Sequence, residues 1–363
     1  MPLNLVVQTA FLGDLLLAIP MLKRCRELWP DHKLGLVCRK GVGSFLLKTG
    51  LIDELYEVQK GSADSYNQAL EKISKHEVNH LIVPHESLRT VFFASRIKAK
   101  KKISFYKFWN FAFYDVREKK PMALPDSLRQ MSLLQFQDAT LKKNLQDYAA
   151  TAKPYTPDER GHLSAPPTWA SMSLRQQVLK DEEAFKNLQQ KFNLDFFGKE
   201  KVVLIFPGSV WATKRWTEEG FMATGQALQR KGYKVIVMGG PGEEALAEKV
   251  AERINGSFSL AGKTSIFESA ALIARASLVI ANDSASTHLA AVCETPHIAV
   301  FGPTVLEFGY RPWSAESYVV EKTGLHCRPC GKHGHKECPI GTHVCMKSIS
   351  ATHVVDRAEA ILK

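Results

Sequence analysis

The chain has 363 residues, of which 45% are hydrophobic and 23% charged, and its formal net charge is +11. This length exceeds that of one typical domain and suggests two or three, each with its own core. The composition excludes a disordered or fibrous chain. The apolar run from Leu15 to Ile19 is too short to span a bilayer, and no basic region precedes it as in a signal peptide. We therefore expect a globular cytoplasmic protein.

The first half of the chain alternates between strand and helix patterns. Leu3 to Val7 predicts a buried strand, followed by a turn from Gln8 to Gly13 and a helix from Asp14 to Leu28. Pro20 lies inside that helix and is expected to kink it. Further strands are predicted at 34–38, 54–58 and 80–84, with helices at 42–48 and 65–75. This alternation predicts a parallel sheet covered by helices.

The excess positive charge is concentrated between Pro84 and Pro121, where ten basic and three acidic residues lie among many aromatic ones. Such a segment can meet nucleic acid, an anionic membrane surface or an acidic substrate. It can equally be a solvated basic face whose aromatic side chains belong to the core. Composition leaves both interpretations open.

A second alternating series follows a proline-rich segment. Four prolines and Gly161 lie between residues 154 and 168, a composition typical of a linker. Beyond it, strands are predicted at 201–206, 234–238, 277–281 and 297–301, and helices at 218–230, 243–253 and 287–292. The chain is therefore predicted to form two Rossmann-like domains, residues 1–165 and 166–363. Ligands of such sheets bind beyond the carboxyl ends of the strands, so the turns there are the candidate sites.

The first of these turns runs from Thr9 to Asp14 and contains a single glycine. A dinucleotide-binding turn has three glycines, so we do not expect a nicotinamide cofactor. Gly13 permits a tight backbone turn. Asp14 is either a helix N-cap or, as a carboxylate facing a cleft, a general base.

The turns of the second half are richer in polar groups. Ser209 and Lys214 follow the strand that ends near 206, and backbone N–H groups with a cation suit a diphosphate; the alternative is a surface turn with incidental charge. Glu243 follows a glycine-rich turn and can accept a hydrogen bond from a sugar hydroxyl, or it is simply an acid at a helix start. Asn282 begins a run of short polar residues that includes Asp283 and ends at His288, where phosphate or a nucleoside can bind; a lone histidine is more often structural.

Taken together, these features resemble glycosyltransferase family 9, the heptosyltransferases of lipopolysaccharide core assembly, and in particular a heptosyltransferase II-like branch. The resemblance extends over nearly the whole chain. The motifs that carry it are Gly13-Asp14 with Pro20, Pro207-Gly208-Ser209 with Lys214 and Trp216, Asn282-Asp283-Ser284 with His288, and Gly302-Pro303-Thr304.

The resemblance implies an α/β fold of GT-B architecture, two Rossmann-like domains facing across a cleft, with the acceptor held by the first and the donor by the second. It further implies that heptose moves from ADP-heptose to a hydroxyl of the lipopolysaccharide inner core with inversion and without a catalytic metal. The partners would be ADP-heptose, an anionic core glycolipid and, through peripheral contact, the inner face of the inner membrane. No nucleic-acid partner is expected.

By the same resemblance, Asp14 takes the position of the catalytic base and Lys214 that of the diphosphate contact. Ser284 and Ala285 stand where a Thr-Gly pair is commoner in the family, which puts the fine specificity for the donor in doubt. The residues expected to bind the donor are Thr9, Gly13, Ser209, Lys214, Glu243, Asp283, Ser284, Ala285 and His288.

The acceptor is expected to dock with the help of nearby aromatic residues on basic residues of the first half, namely Lys98, Lys100, Lys101 and Lys102. Two alternatives remain open. One is another GT-B transferase with a different nucleotide sugar, such as a UDP-sugar. The other is a zinc-bearing nucleic-acid-binding protein, which the sequence pI of 9.2 and the cysteine-rich segment would suit.

Four of the seven cysteines lie in a Cys/His-rich segment, residues 326–345. In a reducing cytoplasm, Cys327, Cys330, Cys338 and Cys345 are expected to form a structural zinc site, with free thiols as the next alternative and disulfides last. The wide spacing of the second pair departs from common zinc ribbons. Metal analysis of protein purified without chelator would decide among these alternatives.

Overall fold

The computed structural model describes residues 1–363. The chain divides into two compact units, the first formed by Met1–Lys153 and Pro167–Met172, the second by Pro154–Pro166 and Ser173–Lys363. The predicted boundary between residues 165 and 166 falls in the stretch where the chain changes units. That one unit binds the acceptor and the other the donor stays a prediction.

The first unit is one six-stranded parallel sheet with helices packed against it, in the order β3-β2-β1-β4-β5-β6. Its strands are β1 (Leu3–Gln8), β2 (Lys33–Arg39), β3 (Glu54–Val58), β4 (Val78–Val83), β5 (Ala99–Phe105) and β6 (Val116–Glu118). Its helices are α1 (Leu12–Leu17), α2 (Ile19–Leu28), α3 (Ser44–Lys48), α4 (Ala63–Ile73), α5 (Leu88–Ser95), α6 (Asp126–Met131) and α7 (Ala139–Thr151), with 3₁₀ turns at Ser132–Leu134 and Thr168–Ala170.

The single helix predicted from Asp14 to Leu28 is two helices in the structure. The chain leaves α1 at Ala18 and starts α2 at Ile19, with Pro20 in the first turn of α2. Proline has no N–H to give to the preceding turn, but it is well accommodated at a helix start. Pro20 therefore divides the helix instead of only bending it.

Strand β5 was not expected from the sequence, because three consecutive lysines hide its pattern. Its carboxyl half, including Ile103 and Phe105, is fully buried, whereas Lys100 is exposed at its amino half. Ala99 pairs with Val78 at the start of β4, so Lys100 lies at the amino ends of the strands, whereas Lys102, opposite Leu81, lies at mid-strand.

The second unit repeats the design with the sheet order β12-β11-β10-β7-β8-β9, again all parallel. Its strands are β7 (Val202–Phe206), β8 (Lys234–Val237), β9 (Phe258–Ser259), β10 (Leu278–Asn282), β11 (His297–Phe301) and β12 (Ser317–Glu321). Its helices are α8 (Arg175–Leu179), α9 (Glu182–Phe192), α10 (Glu218–Arg230), α11 (Glu244–Glu252), α12 (Ile266–Ile273), α13 (Ala285–Val292), α14 (Val344–Lys347) and α15 (Ala351–Leu362), with 3₁₀ turns at Ala212–Lys214 and Leu306–Phe308.

The central strands of this sheet are continuous apolar runs. Every residue of β7, β10 and β11 is buried, as expected for parallel strands covered on both faces. None of the helices in the chain is both long and apolar enough to cross a lipid bilayer.

The proline-rich segment that the sequence predicted as a linker packs onto the second unit. The buried Arg311 guanidinium donates to the carbonyl oxygens of Pro154 at 2.8 Å and Ser164 at 2.7 Å. Leu163 is fully buried in a small apolar cluster that includes Phe301. These contacts make the segment part of the second unit's structure.

Candidate active site

Asp14 lies just beyond the carboxyl end of β1, as the third residue of α1. Its Oδ2 accepts a hydrogen bond from the backbone N–H of Phe11, the residue that caps the helix, at 3.1 Å. Asp14 is therefore not the N-cap itself but reaches back to it. Gly13 lies inside the first turn of α1 and has no positive φ, so the tight turn expected at Gly13 is not present.

The environment of Asp14 disfavours its negative charge. Burial and the nearby carboxylate of Asp126 raise the pKa of Asp14 to about 6, against the opposing effects of the Phe11 N–H and Lys120. A carboxylate with this pKa is ionised at neutral pH and is a stronger base than an ordinary aspartate. Asp14 is thus suited to accept a proton from a hydroxyl group.

Asp126 was not singled out in the sequence, and it is the second carboxylate of this site. It begins α6, where it is 4% exposed, and its Oδ2 accepts a hydrogen bond of 2.7 Å from Nε2 of Gln130. The same Nε2 donates to the backbone oxygen of Asp14 at 3.1 Å, and Gln8 Nε2 donates to Gln130 Oε1 at 2.9 Å. Gln130 therefore holds α6, and with it the charge of Asp126, against the turn that carries Asp14.

A second polar network adjoins the carboxyl end of β1. The hydroxyl of Thr9 is 2.9 Å from Nδ1 of His85 and 3.0 Å from the hydroxyl of Thr90. Burial and the nearby Lys60 lower the pKa of His85, so its ring is neutral at physiological pH. Thr9 is engaged by its own unit here, and its role in donor binding stays a prediction.

The lysines expected to hold the acceptor do not lie beside Asp14. Lys98 and Lys100 are at the amino edge of the sheet, whereas Asp14 follows the carboxyl end of β1. Lys102 donates to backbone oxygens of α5, and Lys101 lies over the ring of Phe136. The structure thus does not bring this group of four to the edge that carries Asp14, and its acceptor role stays a prediction.

Other cations occupy the carboxyl edge. Lys107 and Lys120 both pair with the carboxylate of Glu86, at 2.9 Å and 2.8 Å. Although burial alone would raise the pKa of Glu86, these two lysines lower it. Lys120 is also close enough to Asp14 to lower its pKa slightly, which places positive charge near the candidate base.

In the second unit, the predicted donor residues meet at the carboxyl edge of the sheet. Nζ of Lys214 lies 2.5 Å from Oδ2 of Asp283, with 13% and 5% of the two side chains exposed. The hydroxyl of Thr304 donates to the same Oδ2 at 2.7 Å. Three turns that follow β7, β10 and β11 are thereby joined at one carboxylate.

Asn282 holds the turn after β7 in place. Its Nδ2 donates to the backbone oxygens of Pro207 at 2.8 Å and Gly208 at 3.1 Å, and its Oδ1 accepts from the N–H of Trp216 at 2.8 Å. All of its hydrogen-bonding groups are used within the protein and it is fully buried. Asn282 therefore positions the loop that carries Ser209 and Lys214.

The glycine-rich turn after β8 brings Glu243 over Gly208. The carboxylate of Glu243 accepts a hydrogen bond of 2.8 Å from the N–H of Gly240. A Cβ at Gly208 would lie 2.1 Å from Cδ and Oε1 of Glu243, so only glycine leaves room for this carboxylate. The two turns thus hold Glu243 beside the strand end that leads to Ser209.

The N-terminus of α13 completes this edge. Ser284 precedes the helix, and its side chain bonds to the Ser286 hydroxyl at 3.0 Å instead of capping the helix. The N–H groups of the first turn, which begins at Ala285, therefore receive no side-chain cap, and such a helix end favours an anion. This arrangement brings Ser284 and Ala285 to the same edge as Lys214.

His288 lies in α13 and is buried, with no hydrogen-bond partner for its Nδ1. Burial lowers its pKa to about 4, although the nearby Asp283 acts in the opposite direction. The ring is consequently neutral at physiological pH, so it does not contribute positive charge to the site.

The Cys/His-rich segment packs against the turn that carries Lys214. Thr213 exchanges backbone and hydroxyl hydrogen bonds with His335 at 2.8 to 3.1 Å, and Nε2 of His343 lies 2.8 Å from the Thr213 oxygen. All seven cysteines are free, and no group of three or more His, Cys, Asp or Glu side chains is arranged to hold a metal ion. The zinc site expected at Cys327, Cys330, Cys338 and Cys345 stays a prediction.

Comparison with known proteins identifies the family. The sequence model of glycosyltransferase family 9 (heptosyltransferase) matches residues 68–340. The chain is 28% identical to an Escherichia coli lipopolysaccharide heptosyltransferase 3 over 322 residues, covering 84% of each chain. Its fold is similar to that of E. coli ADP-heptose lps heptosyltransferase II, with a TM-score of 0.76, 18% identity and coverage of 100% of this chain and 98% of that one.

A second solved structure of the same fold is E. coli heptosyltransferase WaaC with ADP-2-deoxy-2-fluoro heptose. It matches with a TM-score of 0.71 and 17% identity over 99% of each chain. The likeness confirms the predicted α/β fold with two parallel sheets. Because the family model matches most of the chain, this protein belongs to glycosyltransferase family 9 and is a glycosyltransferase.

Proposed function

We propose that this enzyme transfers heptose from ADP-heptose to a hydroxyl of the lipopolysaccharide inner core, with inversion at the anomeric carbon. Family membership supports the class of reaction. One relative is named a lipopolysaccharide heptosyltransferase, which supports the acceptor class. The solved structure of WaaC contains an ADP-heptose analogue, which supports the donor class. The proposal includes peripheral contact with the inner membrane, where a lipid-linked acceptor would be presented.

The observation that carries the donor half of the proposal is the cluster of Lys214, Asp283 and Thr304 beside the start of α13. An ammonium group has three donors, and Asp283 uses only one of them. The others, with the N–H groups of α13, suit the oxygens of a diphosphate leaving group. Glu243 and Ser209 flank this cluster and are proposed to contact the rest of the donor.

Asp14 is proposed to act as the general base. An inverting transfer forms a bond from the acceptor oxygen to the anomeric carbon, while the bond from that carbon to the diphosphate breaks. The acceptor proton must pass to a base, and the leaving diphosphate must keep its negative charge stabilised. Asp14 has the pKa for the first task, and Lys214 has the charge for the second.

The proposal is tested by incubating the purified chain with ADP-heptose and truncated core glycolipids and following ADP release and glycolipid mass. Formation of a product heavier by one heptose would support it. Nucleotide choice is tested separately by thermal stabilisation, where ADP should raise the Tm more than UDP. Transfer from a UDP-sugar but not from ADP-heptose would overturn the proposed donor.

The pH dependence of kcat/KM should depend on Asp126. With Asp14 as base, activity is lost as pH falls through about 6, because protonation of Asp14 removes the base. Replacing Asp126 with Asn removes a negative charge that raises the pKa of Asp14, so the acidic limb should move to lower pH. The exposed Asp31→Asn substitution is the matched control and should leave the profile unchanged. An unmoved acidic limb in Asp126→Asn would show that Asp126 does not tune the base.

The Gly208→Ala substitution should weaken donor binding through Glu243. The new Cβ would displace the Glu243 carboxylate and break its bond to Gly240. Loss of the proposed charged hydrogen bond from Glu243 to the donor should then raise the donor KM roughly tenfold or more. At Gly240, a Cβ would meet Glu243 Oε2 at 3.8 Å, an ordinary contact, so Gly240→Ala is the matched control.

A double-mutant cycle separates this effect from a general loss of structure. If Gly208→Ala acts by displacing Glu243, adding it to Glu243→Gln should raise the donor KM little further. Additive effects would show that Gly208→Ala does not act through Glu243, and an unchanged donor KM in Glu243→Gln alone would contradict the proposed contact between Glu243 and the donor.

A further inference from the structure

Four large apolar side chains are exposed on the first unit, on α5 and on the loop between β5 and β6. The exposed fractions are 59% for Leu88, 62% for Phe92, 82% for Phe108 and 68% for Phe111. We call these four residues the aromatic surface. Single exposed apolar residues are ordinary, but a group of large ones marks an interaction site.

The loop between β5 and β6 holds its two exposed phenylalanines in place. Asn110 is buried at its centre, where its Nδ2 donates to the Phe105 oxygen at 2.8 Å and its Oδ1 accepts from the Lys107 N–H at 3.1 Å. Trp109 and Phe113 pack against the core of the unit. With these side chains anchored inward, Phe108 and Phe111 are left pointing to solvent as a consequence of the ordered turn.

Helix α5 continues the same surface. Leu88 and Phe92 are four residues apart and so share one helix face. The rings of Phe92 and Phe113 meet edge to face with their centroids 6.4 Å apart, which brings α5 against the loop. The helix and the loop therefore present one surface.

Exposed cations lie near these apolar side chains along the chain, and Arg89 and Arg96 line one surface pocket with Phe92. Arg89, Arg96, Lys107 and Lys119 are all exposed. The nearby acid Glu86 is only one-fifth exposed and already pairs with two lysines, while Asp115 accepts a hydrogen bond from the backbone of Lys102. The surface thus combines exposed apolar groups with unbalanced positive charge.

We propose that the aromatic surface binds the surface of an anionic phospholipid membrane, with its apolar side chains inserted among the headgroups and its cations on the phosphates. Phe and Leu side chains bury their apolar surface at the boundary between headgroups and acyl chains, and each nearby cation adds to the attraction of an anionic leaflet. A second copy of this chain would meet the same positive charge and be repelled. The proposal rests on the proposed function, because it assigns the membrane contact to particular residues.

The assignment differs from the acceptor lysines expected from the sequence. Lys98 and Lys100 lie at the amino edge of the sheet, and Lys100 pairs with Glu77 at 2.6 Å. The aromatic surface instead follows the carboxyl ends of β4 and β5, just as Asp14 follows the carboxyl end of β1. Membrane contact here would therefore lie at the edge of the sheet that carries the candidate base.

The test is co-sedimentation of the full chain with vesicles of phosphatidylglycerol and phosphatidylcholine, compared with vesicles of phosphatidylcholine alone. Phe108→Ser combined with Phe111→Ser should lower vesicle binding by about tenfold with an unchanged Tm, since both side chains are exposed. Leu47→Ser, an exposed apolar residue outside this surface, is the matched control and should bind as the unaltered chain does.

The charge is tested with Arg89→Gln combined with Lys119→Gln, against Lys142→Gln combined with Lys143→Gln on α7. The first pair should weaken binding to the anionic vesicles, and the second should not. Three outcomes would each overturn the proposal. The first is binding of the unaltered chain to neutral vesicles as strongly as to anionic ones, and the second is full vesicle binding by the Phe108/Phe111 variant. The third is self-association of the unaltered chain that this variant abolishes.

A deacylated core acceptor separates this proposal from the proposed function. The Phe108/Phe111 variant should transfer heptose to the deacylated acceptor at the rate of the unaltered chain, while losing activity on acceptor embedded in anionic vesicles. If the unaltered chain binds vesicles through this surface but transfers heptose to neither acceptor, the membrane-binding proposal is supported and the proposed function is wrong. If transfer occurs but vesicle binding is unchanged by the Phe108 and Phe111 substitutions, the proposed function is supported and the membrane-binding proposal is wrong.

Discussion

Replacing Asp14 with Asn is expected to lower kcat by about a hundredfold to ten-thousandfold while leaving the donor Kd nearly unchanged. Asparagine has almost the same shape, and its oxygen can still accept the hydrogen bond from the Phe11 N–H. It cannot take a proton from the acceptor hydroxyl. The measurement is single-turnover transfer with saturating ADP-heptose, with donor affinity determined separately by calorimetry.

Stability provides a second readout for the same variant. The folded chain raises the pKa of Asp14 to about 6, so its ionised form is disfavoured by folding. This cost is present above pH 6 and disappears as pH falls toward the ordinary value of the carboxyl group. Asp14→Asn should therefore raise the Tm at pH 8 and leave it unchanged near pH 4.

The control is Asp64→Asn, which removes an exposed acid from the first turn of α4 in the same unit. It should leave both turnover and stability nearly as they are. Retention of the original kcat by Asp14→Asn would remove the base assignment, whatever the Tm does. Loss of activity accompanied by a lower Tm at pH 8 would indicate structural damage instead.

The sequence predicts the parts of the site that follow directly from strand ends. Asp283, Glu243 and Lys214 follow the ends of predicted apolar strands by two, five and eight residues, and the carboxyl ends of parallel strands meet at one edge of a sheet. Their convergence could therefore be anticipated without knowing a single contact. The ion pair between Lys214 and Asp283 follows from the same topology, since β7 and β10 are neighbours in the sheet.

Asp126 could not be predicted in this way. It begins α6, which is remote in sequence from β1. All residues of α6 are buried, so its sequence pattern does not indicate which residues its polar side chains contact. Only the tertiary contact through Gln130 brings Asp126 to Asp14. A sequence pattern describes local periodicity, and this relation is set by how a helix packs on a distant turn.

The basic segment shows a different limit of the sequence. Between Pro84 and Pro121 charge and aromatic residues form one continuous feature of the chain, which suggests a single docking surface. In the structure, strand β5 runs through it, so Lys100 lies at the amino edge and Phe108 beyond the carboxyl edge. Strand β5 places Lys100 and the exposed phenylalanines at opposite edges of the sheet, although they are close together in the sequence.

Replacing Lys214 with Met is expected to lower kcat/KM by about a hundredfold to a thousandfold, because the leaving diphosphate loses its positive charge. The same change leaves Asp283, 5% exposed, without its cation. An uncompensated buried carboxylate destabilises a protein by about 3–5 kcal/mol. The variant should therefore also show a lower Tm, which by itself would make a loss of activity ambiguous.

Combining Lys214→Met with Asp283→Asn resolves this ambiguity. Asparagine can still accept the hydrogen bond from Thr304, and no buried charge remains, so the double variant should regain most of the lost Tm. If Lys214 binds the diphosphate, transfer and ADP affinity should stay low despite the restored fold. Recovery of activity together with stability would mean that Lys214 serves only to neutralise Asp283, and the diphosphate contact would then have to be assigned to the N–H groups of α13.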